Sequence, residues 1–369
     1  MTATLATTDC RRLRLRAQRL SAPVLTDATD AVATVCGLQA QDAAAAALGV
    51  RVRTQDVTAV DIQHALFDDR TLVRTWCMRG TLHLVATEDV PWLLAVFGPV
   101  FVARGRTRLA DLGFVDADAE SATGVLRDAL VARGPLTRLE LTETLQRAGF
   151  EFDPKGQATF HLLRRAVLSG VLCKVAPEAG QEAYHLLDEW VPLESPPDRT
   201  TCLAMLAQRY LAAYQPATLA DFAAWSGLPM ADVRQGWEAI ETETTAVDVD
   251  GRELSILGDV ASESLPEAEP TLRLLPAYDT YLLGYENRAH AVSAEDEHHI
   301  WPGGGLIRPT VISDGRAIAT WKLDRSRVQP TVEVSPFSAL STPEERRLRG
   351  EVTDLERFLD TSLAYQIDG

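Results

Sequence analysis

Lysine is nearly missing from these 369 residues: only Lys155, Lys174 and Lys322 occur, and every other basic side chain is arginine. None of the three lies near Gln39 in sequence, which disfavours Schiff-base chemistry around that residue. Cysteine is sparse as well. Cys10, Cys36, Cys77, Cys173 and Cys202 are scattered, odd in number and never form Cys-x-x-Cys. That pattern argues against a disulfide framework and a thiolate zinc site, and predicts five reduced core residues. No apolar run reaches the roughly 18 to 20 residues of a membrane-spanning helix, so no membrane partner is expected. The opening MTATLATTDCRRLRLRAQRL lacks the apolar core and cleavage site of a secretory signal, and a cytoplasmic location is expected.

Common enzyme signatures are also absent: no P-loop, no Gly-x-Gly-x-x-Gly after a strand, no Gly-x-Ser-x-Gly and no His-Glu-x-x-His. Among seven histidines only His298 and His299 are adjacent. Sequence neighbours rarely share a metal, so neither metal nor cofactor is expected. The run Gly303-Gly304-Gly305 reads as a flexible loop. Negative charge, by contrast, is in excess. The net charge of −16 repels nucleic acid, so any DNA binding must come from a locally basic face. Arginine suits bidentate phosphate contacts, although a GC-rich genome would give the same bias.

What is present is an ordinary globular composition, 46% hydrophobic and 24% charged, long enough for two to four domains. Two stretches repeat: GPLTRLELTETLQRAG (134–149) and QPATLADFAAWSGL (215–228) share Pro-x-Thr-x-x-acid-apolar. Thr137 with Glu140 and Thr218 with Asp221 predict capped helix starts. Each stretch follows an amphipathic helix and leads, past Pro154 or Pro229, to a further helix and then extended residues with a turn. Helix, helix, helix, hairpin is the winged-helix plan, whose third helix is the one offered to a groove.

The N-terminal region reads as a divergent third copy. Thr26 or Asp27 opens one helix, Thr58 another, and TLVRTWCMRGTLHLV supplies two strands broken at Arg79-Gly80. Linkers PLESPPDRT (192–200) and SESLPEAEP (262–270) mark boundaries. The C-terminal quarter holds the aromatic segment RLLPAYDTYLLGYENRAHAV, a hairpin around Asp314-Gly315 and a capped, charged terminal helix from STPEERRLRG. The expected fold is α+β, mainly α. Three winged-helix modules at 1–115, 116–195 and 196–262 precede a β-hairpin and helix region at 263–369.

In TVCGLQAQDAAAA, Gln39 and Gln41 interrupt small apolar residues. On a regular helix, positions i and i+2 do not face each other. The pair serves one site only if it sits at a helix end; otherwise it is a solvated helix face.

The segments LQAQ, TWCMRGTLHLV, LLPAYDTYLLGYENR and GLIRPTVISDGRAIATWK, in that order, resemble the winged-helix DNA glycosylases of the AlkZ and YcaQ type. This resemblance spans nearly the whole chain. It implies three winged helices around a cationic concave channel completed by the C-terminal region, and excision of N7-alkylated purines, including unhooking of interstrand crosslinks. The family's catalytic motif, Gln, an apolar residue, then Gln or Asp, stands here as Gln39-Ala40-Gln41. The Gln-x-Gln form resembles the branch associated with self-resistance to DNA-alkylating antibiotics. Asp42 follows one place later.

These readings predict a monofunctional glycosylase acting as a monomer on alkylated double-stranded DNA in the nucleoid. Expected DNA contacts are Arg79 and His83 in the first wing, Arg164 and Arg165 on the third helix of the second module, and Arg308 and Arg316 in the C-terminal hairpin. Trp76, Met78, Leu82, Leu84 and Trp321 are expected in the core, and Asp279 with Arg288 as a structural ion pair. The alternatives are a tandem winged-helix DNA-binding regulator without catalysis and a protein-interaction scaffold.

Overall fold

Hydroxyl caps fix where the helices begin. Thr137 accepts from the Glu140 amide while the Glu140 carboxylate takes the Thr137 N–H at 2.8 Å, and Thr218 with Asp221 does the same at 2.9 Å. Thr58 with Asp61 and Ser341 with Glu344 repeat the arrangement. Each reciprocal pair satisfies amides that the first helical turn leaves open.

The computed structural model describes residues 3–21, 25–175, 182–191, 194–258 and 270–368. The bend expected in VLCKVAPEAGQEAYHLL, two residues of the first linker and nearly all of the second lie outside these residues. Helix, helix, helix, hairpin is the order in Asp116–Arg133, Arg138–Arg147, Ala158–Leu168, Leu172–Val175 and Ala183–Leu186. It recurs in Arg199–Tyr214, Leu219–Ser226, Met230–Ala239, Thr244–Val249 and Arg252–Leu257. Near the N-terminus, Ala28–Thr34, Ala43–Arg51, Ala59–Phe67, Leu72–Trp76 and Leu82–Ala86 follow the same order.

The chain divides into two compact units, 63–203 and a discontinuous one made of 1–62 with 204–369. Within 63–203, strand Leu72–Trp76 pairs with Leu82–Ala86 on one side and Leu172–Val175 on the other, through Arg74 opposite Lys174. The hairpins of two successive helix-hairpin stretches therefore share a sheet. Glu182 bridges that junction, accepting from Arg74 at 2.7 Å and Lys174 at 2.9 Å. A 22-residue helix, Val90–Asp111, runs through Pro99 and is absent from the sequence reading.

In the other unit, strand Ala3–Thr4 joins the hairpin Thr244–Val249 and Arg252–Leu257. A five-stranded sheet follows the order Leu272–Leu275, Thr310–Ser313, Arg316–Asp324, Thr331–Pro336, Ala364–Ile367. The expected turn is there: Asp314 and Gly315 both have positive φ, 48° and 79°, as a two-residue hairpin favours. The terminal helix Thr342–Leu359 buries Leu348, Val352 and Leu355 against Leu272, Val311, Trp321, Val332 and Val334. Each such aliphatic side chain contributes roughly 1.5–3 kcal/mol of burial energy. Trp321 is core, as expected, and its indole N–H donates to the Leu275 carbonyl at 2.7 Å.

The expected pair of Asp279 and Arg288 does not form. Asp279 is held instead by both terminal nitrogens of Arg53, each at 2.8 Å, with both side chains fully buried. Arg288 donates to the Leu282 carbonyl and lies over the Trp301 ring. A carboxylate with no solvent needs a complete fork of donors, and Arg53 supplies one. All five cysteines are buried free thiols. Among the described residues no helix is long and apolar enough to cross a membrane.

Candidate active site

The path of the backbone decides what the two glutamines can do. Asp27 caps helix Ala28–Thr34, accepting from the Thr29 and Asp30 amides. The helix ends where Cys36, at φ 55°, turns left-handed. The Cys36 N–H reaches the Ala33 carbonyl at 3.0 Å and the Gly37 N–H the Val32 carbonyl at 2.9 Å. These are the paired bonds of a left-handed C-terminal cap. Arg209 donates to the Ala33 carbonyl and the Tyr214 hydroxyl to the Val35 carbonyl, so side chains from Arg199–Tyr214 also hold the end of the helix.

Leu38–Gln39 is then extended, and the next helix, Ala43–Arg51, starts only after Asp42. Gln-Ala-Gln thus lies between two helices, on neither of them. The strand ends at Gln39 and the chain bends at Gln41, which lets the two side chains meet. The Gln39 Nε2 donates to Gln41 Oε1 at 2.9 Å. Gln39 is buried, with 9% of its surface exposed, whereas Gln41 is exposed. Asp42 spends its carboxylate as the cap, taking the Ala44 amide at 2.9 Å and the Ala45 amide at 3.0 Å.

Within 63–203, Arg79 sits at φ 55° in the tight turn Met78–Gly80. The turn packs closely: a Cβ on Gly80 would lie 2.8 Å from both the Arg164 guanidinium and the Phe101 ring. Arg164 donates to the Gly80 carbonyl at 3.2 Å, which ties it to the turn that carries Arg79. Arg165 is engaged by carboxylates, Asp116 at 2.6 Å and Glu120 at 3.6 Å. His83 is buried with Nδ1 3.0 Å from the Thr81 carbonyl. Burial first, and the Arg79 charge second, hold its pKa down to about 3. A buried, neutral imidazole offers a phosphate no charge, which weighs against the expected DNA contact and fits a structural residue of its strand.

The sequence reading missed Arg104, Arg106 and Arg108, which are exposed on the long helix. Arg104 lies over the Phe101 ring, Arg106 pairs with Asp116 at 2.9 Å, and Arg108 donates to Gln157 at 2.6 Å. The signal was available: RGRTR is a dense arginine run in an acidic chain. In the discontinuous unit, Arg308 is exposed and donates to the His299 carbonyl, and exposed Arg316 opens the long hairpin strand.

Helix-hairpin stretches, with a polar amide pair poised between two helices, define a class that comparison with known proteins makes explicit. A family model for AlkZ-like DNA glycosylases matches residues 32–358. The chain belongs to this family and is a DNA glycosylase. Among its relatives is the interstrand DNA cross-link repair glycosylase of Streptomyces sahachiroi, 28% identical over 360 residues that cover 93% of this chain and 92% of that one. The solved structure of the Streptomyces sahachiroi DNA glycosylase AlkZ matches with a TM-score of 0.83 over 99% of this chain and 100% of that one. At 24% identity, that match shows a shared fold.

Proposed function

We propose that this glycosylase hydrolyses the N-glycosidic bond of bulky N7-alkylguanine in duplex DNA, through Gln39 and Gln41. The observation that carries the reading is the Gln39–Gln41 hydrogen bond, which ties a buried amide to an exposed one between two helices. Alkylation at N7 makes guanine cationic, so its bond to C1′ is weakened before any protein group acts. As that bond breaks, its electron pair neutralises the base and positive charge develops on the sugar. Water then adds its oxygen to C1′ and gives up a proton to solvent. Gln41 Oε1 has two lone pairs. One accepts from Gln39, and the other is oriented for the attacking water, close to the cationic sugar.

Neither amide is a base at neutral pH. Neutral, undamaged nucleosides are therefore poor substrates, because their departure needs proton transfer. Arg79, Arg164, Arg308 and Arg316, with Arg104, Arg106 and Arg108, are assigned to phosphate contacts. The Streptomyces relative's name supports extending the substrate range to interstrand crosslinks. The Gln-x-Gln form supports a role in self-resistance to a DNA-alkylating natural product, with the enzyme acting as a monomer on the nucleoid.

The test compares single-turnover base release from duplexes carrying one N7-methylguanine, one bulky N7-guanine adduct, or no lesion. Release from the modified duplexes, faster for the bulky adduct and absent from the undamaged one, is expected. Intact DNA binding without release from either lesion would leave a DNA-binding regulator as the better reading.

A further inference from the structure

Gly49 is the one glycine in helix Ala43–Arg51, which otherwise reads AAAAAL-VR. Alanine at that position would favour the helix, so the glycine calls for a reason in packing. A Cβ there would lie 3.3 Å from Leu38 Cδ1 and 3.4 Å from Cδ2. Leu38 is buried and immediately precedes Gln39 on the extended segment. The helix face at Gly49 is thus the seat on which the segment carrying Gln39 rests.

That seat is itself fixed. Arg53 donates to the Gly49 carbonyl at 2.8 Å from the same nitrogen that binds Asp279 Oδ2. Its other terminal nitrogen binds Asp279 Oδ1 at 2.8 Å, Thr280 Oγ1 at 3.1 Å and Gln18 Oε1 at 3.2 Å. Arg51, equally buried, reaches Asp354 at 2.7 Å and Glu351 at 3.1 Å. Two buried guanidinium groups therefore lock the C-terminal end of the helix whose N-terminal end begins at the glutamine pair.

We propose that Gly49 and Arg53 are positioning residues for the Gln39–Gln41 pair. Gly49 sets how closely Leu38 seats, Arg53 holds the Gly49 peptide against Asp279, and together they place the Gln39 amide that orients Gln41. The proposal rests on the glutamine pair being catalytic. A fixed mount suits the reaction because catalytic groups misplaced by an ångström lose much of their rate.

The experiment is a double-mutant cycle on single-turnover release of N7-methylguanine, using the full chain. Gly49→Ala is expected to slow release at least tenfold while circular dichroism and undamaged-duplex affinity stay within twofold of wild type. Placed in the Gln39→Ala background, the same substitution should change the rate by less than twofold, since the group it displaces is gone. Arg53→Lys, which keeps the charge and loses the fork, carries the same cycle if Gly49→Ala does not fold. Gly49→Ala and Arg53→Lys at wild-type rate, or equal slowing in both backgrounds, would overturn the positioning role alone. A Gln39→Ala enzyme at wild-type rate would remove the catalytic reading and this proposal with it.

Discussion

A glutamine amide does not titrate over the range in which enzymes work, and that separates this site from one built on a carboxylate. The wild-type single-turnover rate is therefore expected to stay flat between about pH 6 and 9. Gln41→Asp should add a limb that falls below the ordinary aspartate pKa of about 4. A wild-type rate that climbed tenfold per pH unit would place an ionising base at the site instead. Asp42 is the obvious rival, but it caps the following helix. Asp42→Asn keeps a capping acceptor and should keep the rate within twofold. Asp42→Ala should cost about 1 kcal/mol of stability, read from urea unfolding. A hundredfold loss of rate in Asp42→Asn would make Asp42 the base. His83 tests the electrostatics of its own hairpin, Leu72–Trp76 with Leu82–Ala86. Its folded pKa of about 3 lies below the unfolded value of about 6.5, so the unfolded chain takes up the proton first as pH falls. The stability it confers is full above about pH 6.5 and is lost as pH falls towards 3. His83→Gln should thus lose less stability than wild type between pH 7 and 4.5, and equal losses would contradict the burial.

Among the elements, those with local signals were legible in the sequence. Threonine followed three residues later by an acid marked helix starts at Thr58, Thr137 and Thr218, because the cap is made within four residues. Asp314-Gly315 marked its hairpin for the same reason. The Gln-Ala-Gln segment itself was named, but its path between two helices was not. Helix Ala28–Thr34 ends on a left-handed Cys36 followed by Gly37, a stop signal the sequence reading passed over, and the alanine run beyond reads as more helix. Gly98-Pro99 hid the long helix Val90–Asp111, since both residues argue against a helix interior. The Arg53–Asp279 pair was out of reach, for its partners are 226 residues apart. Asp279→Ala would leave Arg53 buried without its counter-charge and should cost about 3–5 kcal/mol. A denaturant midpoint unchanged from wild type would show that the pair carries no such weight.

At the scale of the whole molecule the difficulty is a DNA enzyme with a net charge of −16. Affinity for undamaged duplex is expected to be modest and steeply salt-dependent, resting on local arginines. Arg104→Gln and Arg108→Gln together should weaken duplex binding several-fold, and each should reduce the salt slope by about 1. An unchanged slope would assign the phosphate contacts elsewhere. Composition made the acidity plain, but only the helix at Val90–Asp111 shows Arg104, Arg106 and Arg108 exposed on one element. The central claim concerns two amides, and the most direct measurement is the single-turnover release of N7-methylguanine by wild type, Gln39→Ala and Gln41→Ala. A fall of at least tenfold in either variant, with duplex affinity unchanged, is what the account predicts. Release at the wild-type rate by both would contradict it and return the pair to a structural hydrogen bond.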